Sequence, residues 1–475
     1  MMRFRNITLL VLCSAFAFNL SAQRDSIVSL PLQEFLNIVR SYHPMALSAE
    51  LQLDNAESFE RRARGAFDPK LEANFNEKFY KETSYFSEAS SMIKMPTRSP
   101  LSLKAGYDLN SGAFLDQSKV TPDDGLVTAG VSMPLLQGLL IDERRTAMRV
   151  SQAFEEFSIA ERASMYNQLI FESYGAYWNW WSSVEKRRIA QEMLDIASIR
   201  FDAVKQRALA GDRPFIDTVE AYLQVQLRQQ QLLENITIEV KSRFFLSGFL
   251  WYNDDTSSIP TGLIISEKAV PENPMGQLPP ELMTISRSQI LTTIDTSHPI
   301  IIATDAKIKQ MEAEARWKQE KLKPKLDVEY NFLNTGLINA DDIMFSTRNY
   351  TWGLNFSFPI FLREARGDLQ LTRIKIAENN YVRDLKAVEL SNKANAAFTN
   401  VTLIRDQTDV ARANVANYRT LLDAERLRFF NGESSLFIVN QREMQLADAQ
   451  NKLVDLQSKL EMASAEVLYF LGQLK

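Results

Sequence analysis

The amino-acid sequence predicts a mixed α and β membrane protein built as two tandem structural repeats, each joining long coiled-coil α-hairpins to a two-stranded β segment. Three observations carry this: motifs that recur at fixed offsets, stretches of about 70 residues without proline, and short runs in which apolar and polar residues alternate.

The recurrence sets the order of the elements. Ser41-Tyr42-His43-Pro44 returns 255 positions later as Thr296-Ser297-His298-Pro299, and Pro69-Lys70-Leu71 returns at the same offset as Pro324-Lys325-Leu326. Met133-Pro134-Leu135 corresponds to Phe358-Pro359-Ile360 at 225, so the first copy holds 30 extra residues between its strands. Glu143 with Glu364, Asp202 with Asp423 and Gly211 with Gly432 all stand 221 apart. Each copy reads as short helix, His-Pro break, helix, strand, loop, strand, very long helix, glycine turn, long helix. Residues before proline avoid the helical region, so His43 and His298 are expected to end their short helices structurally.

Residues 23–252 form the first repeat, with strands at about 69–81 and 126–134 and long helices at about 141–210 and 213–250. A linker at 253–284 follows, containing Pro260, Pro271, Pro274, Pro279 and Pro280, and is expected at the equator of the molecule. Residues 285–475 form the second repeat, with strands at about 324–333 and 349–359 and helices at about 363–431 and 434–471.

The strands follow from a period of two. Leu326, Val328, Tyr330 and Phe332 alternate with Asp327, Glu329 and Asn331, and Trp352, Leu354 and Phe356 alternate with Gly353, Asn355 and Ser357. Val127, Ala129, Val131 and Met133 do the same, and Leu71, Ala73 and Phe75 begin the first strand. Such alternation over about 10 residues marks a membrane β-barrel strand. A fifth run, Leu101 to Leu109, would make an odd number of crossings. It is expected inside the enlarged external loop, or against a weak partner near Phe114.

The helices follow from proline-free length and a heptad-like seam. Ala394, Ala397, Val401, Ile404, Thr408, Ala411, Val415, Tyr418 and Leu422 step by 3 and 4, as do Leu446, Ala449, Leu453, Leu456, Leu460 and Ala463. At 1.5 Å per residue each proline-free stretch reaches roughly 100 Å. Gly211 and Gly432 close the hairpins by taking a positive φ. The cluster Phe171, Tyr174, Tyr177, Trp178, Trp180 and Trp181 at helical spacing is expected to be packing rather than a ligand cage.

Residues 1–22 read as a secretory signal, with Arg3 and Arg5 ahead of an apolar stretch and cleavage after Ala22. The only cysteine, Cys13, lies within it behind Leu12, which does not suit lipid attachment. Loss of Arg3 and Arg5 takes the formal charge from -5 to -7, an acidic balance that argues against nucleic-acid binding. No later run of about 20 apolar residues suits a membrane helix, so membrane entry must use strands. Four strands cannot close a barrel, and open edges in lipid cost several kcal/mol per unpaired group. Two copies supply 8 strands around a filled interior and three supply 12 around a lumen, which conduction favours.

The His-Pro breaks, the duplicated strand-plus-proline motifs Gly130-Val131-Ser132-Met133-Pro134-Leu135 and Gly353-Leu354-Asn355-Phe356-Ser357-Phe358-Pro359-Ile360, and Arg200-Phe201 ahead of Gly211 resemble TolC-like outer-membrane efflux proteins. The resemblance runs from about Leu30 to the end. It implies a homotrimer with a twelve-stranded β-barrel among the lipids of the outer membrane of a Gram-negative bacterium, continued by an α-helical barrel in the periplasm. It further implies a passive duct for a tripartite efflux or type I secretion system, with a periplasmic adaptor (membrane fusion) protein and an inner-membrane pump as partners. Departures are the 30-residue enlargement and His where the family usually has Asn before Pro.

By the same resemblance Asp423, and with it Asp202, is a candidate channel gate, since an acidic ring near this end narrows the family's channels and would respond to protonation. Gly211, Asp212, Arg213, Gly432, Glu433 and Ser434 are candidates for adaptor contact at the periplasmic tips. Asp212, Ser434 and Ser435 also suit helix N-caps. No phosphate loop, Ser-His-Asp set or metal-ligand spacing is present, so neither enzyme activity nor a cofactor is expected. The alternative is a non-conducting periplasmic coiled-coil scaffold or adaptor, which leaves the amphipathic strands unexplained.

Overall fold

A computed structural model describes residues 29–252, 261–266, 269–272, 290–335 and 348–474. The signal segment with Cys13, and most of the Pro-rich linker, lie outside the described residues. Elements follow in the order β1 (Ser29–Leu30), α1 (Leu32–Tyr42), α2 (Pro44–Arg64), β2 (Lys70–Tyr80), β3 (Thr83–Pro96), β4 (Ser102–Ser111), β5 (Leu126–Pro134), α3 (Glu143–Leu209) and α4 (Ile216–Ser247). Then come β6 (Trp251–Tyr252), β7 (Thr261–Gly262), β8 (Val270–Pro271), α5 (Ile290–Ser297), α6 (Pro299–Glu320), β9 (Lys325–Thr335), β10 (Tyr350–Ser357), α7 (Arg363–Phe430) and α8 (Leu436–Phe470). The chain forms two compact units, one from Met1–Ala46, Gln168–Thr284 and Ala396–Val467, the other from Leu47–Asn167, Ile285–Asn395 and Leu468–Lys475. Helices α3 and α7, of 67 and 68 residues, contribute to both.

The second unit holds a six-stranded sheet in the order β10-β9-β5-β4-β3-β2, antiparallel throughout. Here the sequence expectation of four strands is corrected. The run at 101–109 is a full strand, β4, whose partners are β3 on one side and β5 on the other. Phe114 lies in the following loop and stacks on Tyr85 at 4.7 Å. Strand β3 escaped notice because its stretch Ser87-Glu88-Ala89-Ser90-Ser91 breaks the apolar alternation with small residues.

Register makes the sheet two-faced. Leu71 pairs with Ile93, Ile93 with Ala105, Ala105 with Ala129, Ala129 with Phe332, and Phe332 with Tyr350, so one face is apolar across all six strands. Much of that face is exposed, Leu71 at 72%, Phe75 and Trp352 at 66%. The opposite face carries Glu72, Lys94, Lys104 and Glu329. Lys94 Nζ lies 2.6 Å from Glu72 Oε2, and Lys104 Nζ lies 2.7 Å from Glu329 Oε1. Lys104 reaches Glu329 across β5 where Gly130 stands opposite it, and a Cβ on Gly130 would lie 1.9 Å from Asn331 Oδ1.

The first unit is helical. Ile404 and Ala411 of α7 pack with Leu456 and Ala463 of α8, flanked by Val401, Leu453 and Leu460, which is the heptad seam. Trp178, Trp181, Ile189 and Met193 of α3 pack on Ala447 and Val454 of α8. Tyr177 is fully buried, and its hydroxyl donates to the carbonyls of Leu30 (2.8 Å) and Glu272 (3.2 Å). Those carbonyls flank the parallel pair of β1 with β8, so the aromatic cluster is indeed packing and anchors the described part of the linker.

The two histidines do more than end a helix. Each also starts the next one, His43 Nδ1 accepting from the Met45 amide and His298 Nδ1 from the Ile300 amide, both at 3.1 Å. This is the bond an Asn side chain makes at an N-cap.

Candidate functional site

The candidate residues gather in the first unit, where the hairpins α3–α4 and α7–α8 turn. Both turns have the same hydrogen bonds. Gly211 N donates to Ala208 O and Asp212 N to Arg207 O, while Gly432 N donates to Phe429 O and Glu433 N to Arg428 O, at 2.9–3.1 Å. This is the Schellman arrangement, in which the residue after the helix takes a left-handed conformation. Gly211 has φ 84° and Gly432 φ 80°, with open space around both, so backbone conformation and not crowding requires glycine.

The N-cap expectation fails at Asp212. Helix α4 starts four residues later, at Ile216, and Phe215 occupies the cap position without a side-chain bond. Ser434 turns its hydroxyl to Glu425 Oε1, which is 2.5 Å away, instead of to a helix amide. Arg213 lies over the Phe429 ring at 4.6 Å and near Asp217 at 3.5 Å, so the turn of the first repeat is held against the end of α7.

Asp202 and Asp423 are both exposed. The Asp423 side chain is 64% exposed and stands 3.9 Å from Arg426. Arg426 makes its closer bond elsewhere, donating to Glu443 Oε1 at 3.1 Å, and Arg200 donates to Glu443 Oε2 at 2.5 Å. The Glu443 side chain is only 3% exposed. A buried carboxylate clamped by two guanidinium groups thus ties α8 to α3 and α7, with Asp423 at the outer end of the chain of charges.

A cavity of about 350 Å³ opens beside this clamp, lined by Arg200, Arg207, Arg213, Arg426, Phe429 and Phe430 among others. Leu209, Phe215, Ile216 and Phe437 around the turns are 67–77% exposed, more apolar surface than an ordinary solvated turn presents.

Sequence reading missed the clamp, although one signal was present. Leu436, Val439, Glu443 and Leu446 step along one seam of α8, so Glu443 is a charge at a core position. Among the described residues, no group of three or more His, Cys, Asp or Glu side chains could hold a metal ion, and no helix is long and apolar enough to cross a membrane.

The fold joins duplicated long helical hairpins to a two-faced antiparallel sheet. Residues 293–473 match the family described as outer membrane efflux protein. No curated protein matches the sequence. Among solved structures, the chain is similar to the Campylobacter jejuni CmeC outer membrane channel, with a TM-score of 0.64 and 14% identity over 93% of this chain and 85% of that one. It is similar to the open state of the Neisseria gonorrhoeae MtrE outer membrane channel, with a TM-score of 0.64 and 15% identity over 93% and 89%. The outer membrane protein VceC of Vibrio cholerae gives a TM-score of 0.63 at 14% identity over 93% and 95%. The sequence match to that family is thus confined to residues 293–473, while the chain as a whole has the fold of these solved channels.

Proposed function

We propose that the protein is the outer-membrane channel subunit of a tripartite efflux or type I secretion system, a passive duct from the periplasm to the exterior. The observation that carries this reading is the six-stranded sheet itself. One face is apolar and exposed, the other polar, and among the described residues both outer strands, β2 and β10, have an unpaired edge. Such a sheet is costly in lipid until further copies cover its edges, and closure puts the polar face around a lumen.

Three copies form the channel in this reading. The hairpin turns at Gly211, Asp212, Arg213, Gly432, Glu433 and Ser434, with exposed Phe215 and Phe437 beside them, meet a periplasmic adaptor that links the duct to an inner-membrane pump. Asp423, on the exposed side of α7, faces the lumen as the gate, with Asp202 its weaker equivalent on α3. A carboxylate ring there favours cations.

The test is single-channel recording of the purified protein in a planar bilayer. Conductance with cation preference is expected for the natural chain, and a reduced preference for Asp423→Asn. Absence of conductance removes the duct reading. Unchanged selectivity in the variant removes only the gate.

A further inference from the structure

We infer that the hairpin β3–β4, which falls where the first repeat is 30 residues longer than the second, spans the membrane, and that three copies close an eighteen-stranded barrel in which β2 of each copy pairs with β10 of the next. This rests on the trimeric duct proposed above and deepens it.

The hairpin spans the same level as the other strands. Strands β2, β5, β9 and β10 each have one end next to a helix, at Lys70, Pro134, Lys325 and Ser357. Strand β3 pairs along the whole of β2, Lys94 opposite Lys70, and β4 starts at Ser102 opposite Ser132 of β5. The chain therefore returns all the way to the helix side between β3 and β4. A loop folded outside the membrane would have no reason to descend to that level.

The hairpin also shares the side-chain pattern of the other strands. Ile93 and Met95 of β3 and Leu103 and Leu109 of β4 continue the exposed apolar face, each 40–44% exposed. Lys94 and Lys104 point to the other face, where Lys94 meets Glu72 on the adjacent β2 and Lys104 meets Glu329 on β9, across β5. Charges confined to the lumen side, with aliphatic residues on the lipid side, are the pattern of a membrane strand.

Parity agrees. The link between β3 and β4, residues 97–101 at the helix side, is a tight turn closed by Thr97 N donating to Leu101 O. Strand β4 stands between β3 and β5, so excluding the hairpin would cut β2 off from the sheet. Six strands, an even number, return the chain to the helix side and leave the two edge strands running in opposite directions, so closure between copies is antiparallel all round.

Barrel diameter grows roughly linearly with strand number, so eighteen strands make the exit about 1.5 times as wide as twelve would. The exit duct in the outer membrane then suits bulkier cargo than a twelve-stranded one admits.

The single Cys13 lies in the expected signal segment, so introduced cysteines report cleanly. Exposed Arg98, in the β3–β4 turn, and exposed Asp123, in the β4–β5 loop, are each replaced by cysteine in the full-length protein expressed in cells. Cells are treated with a maleimide-tagged polymer too bulky to pass the pore. Asp123→Cys is expected to react in intact cells, and Arg98→Cys only after the outer membrane is permeabilised. Reaction of Arg98→Cys in intact cells at the rate of Asp123→Cys overturns the membrane-spanning hairpin alone. Protection of Asp123→Cys in intact cells overturns the outer-membrane duct and the hairpin with it. Cryo-electron microscopy of the unsubstituted detergent-solubilised assembly gives an independent count. Eighteen strands support the inference, and twelve with the hairpin folded outside the barrel refute it.

Discussion

His298 sits almost fully buried between α5 and α6, and burial lowers its pKa from 6.5 to about 4. Its ring nitrogen can accept the Ile300 amide only when unprotonated, so capping and burial both favour the neutral form. The unfolded chain takes up the proton near pH 6.5 and the folded chain only near 4. The contribution to stability is therefore complete above 6.5 and drains as pH falls towards 4, by up to about 3 kcal/mol. Asn makes the same cap without titrating. His298→Asn is expected to flatten the acid limb of the thermal midpoint against pH in detergent-solubilised protein, while a limb as steep as in the natural chain would show the histidine is not its source. His43, also held below its ordinary value by burial, makes the same bond in the first repeat.

At the scale of elements, Glu443 puts a buried charge into a seam of α8 otherwise formed by Leu436, Val439 and Leu446. Removing one partner of a buried ion pair leaves the other charges unpaired and costs about 3–5 kcal/mol, the lower end applying here because the Arg426 side chain is 34% exposed. Glu443→Ala is expected to loosen α8 from α3 and α7, read as faster amide hydrogen exchange over 436–446. Glu443→Gln, which keeps acceptor and shape, should lose less. Equal exchange in natural and Ala-substituted protein would mean that apolar packing by Leu436, Val439 and Leu446 holds these helices unaided. The glycine turns belong to this scale too. Their spacing from Asp202 and Asp423 was legible because equal offsets mean equal helix lengths, whereas the Arg200–Glu443–Arg426 clamp joins residues 17 and 243 positions apart, beyond any periodicity.

For the whole molecule, the free edges of β2 and β10 make the isolated chain incomplete in lipid. Protein extracted from the outer membrane is expected to migrate as an oligomer in detergent gels without heating and as a single chain after boiling. A monodisperse, water-soluble monomer obtained without detergent would contradict the duct. The sequence by itself determined the duplicated plan, the long hairpins and the amphipathic strands, because period, proline spacing and glycine turns are local properties that survive without knowledge of neighbours. It did not determine how many strands share the sheet. Strand β3 has small residues where the alternation should be apolar, and only pairing with β2 and β4 identifies which of its faces meets lipid. Nor did it reveal the buried charges at the hairpin turns, since a lone carboxylate in a seam acquires meaning only when two distant arginines arrive beside it. Local backbone preference is written in consecutive residues; strand neighbours and ion partners are chosen by the tertiary structure, where the energy of burial is decided.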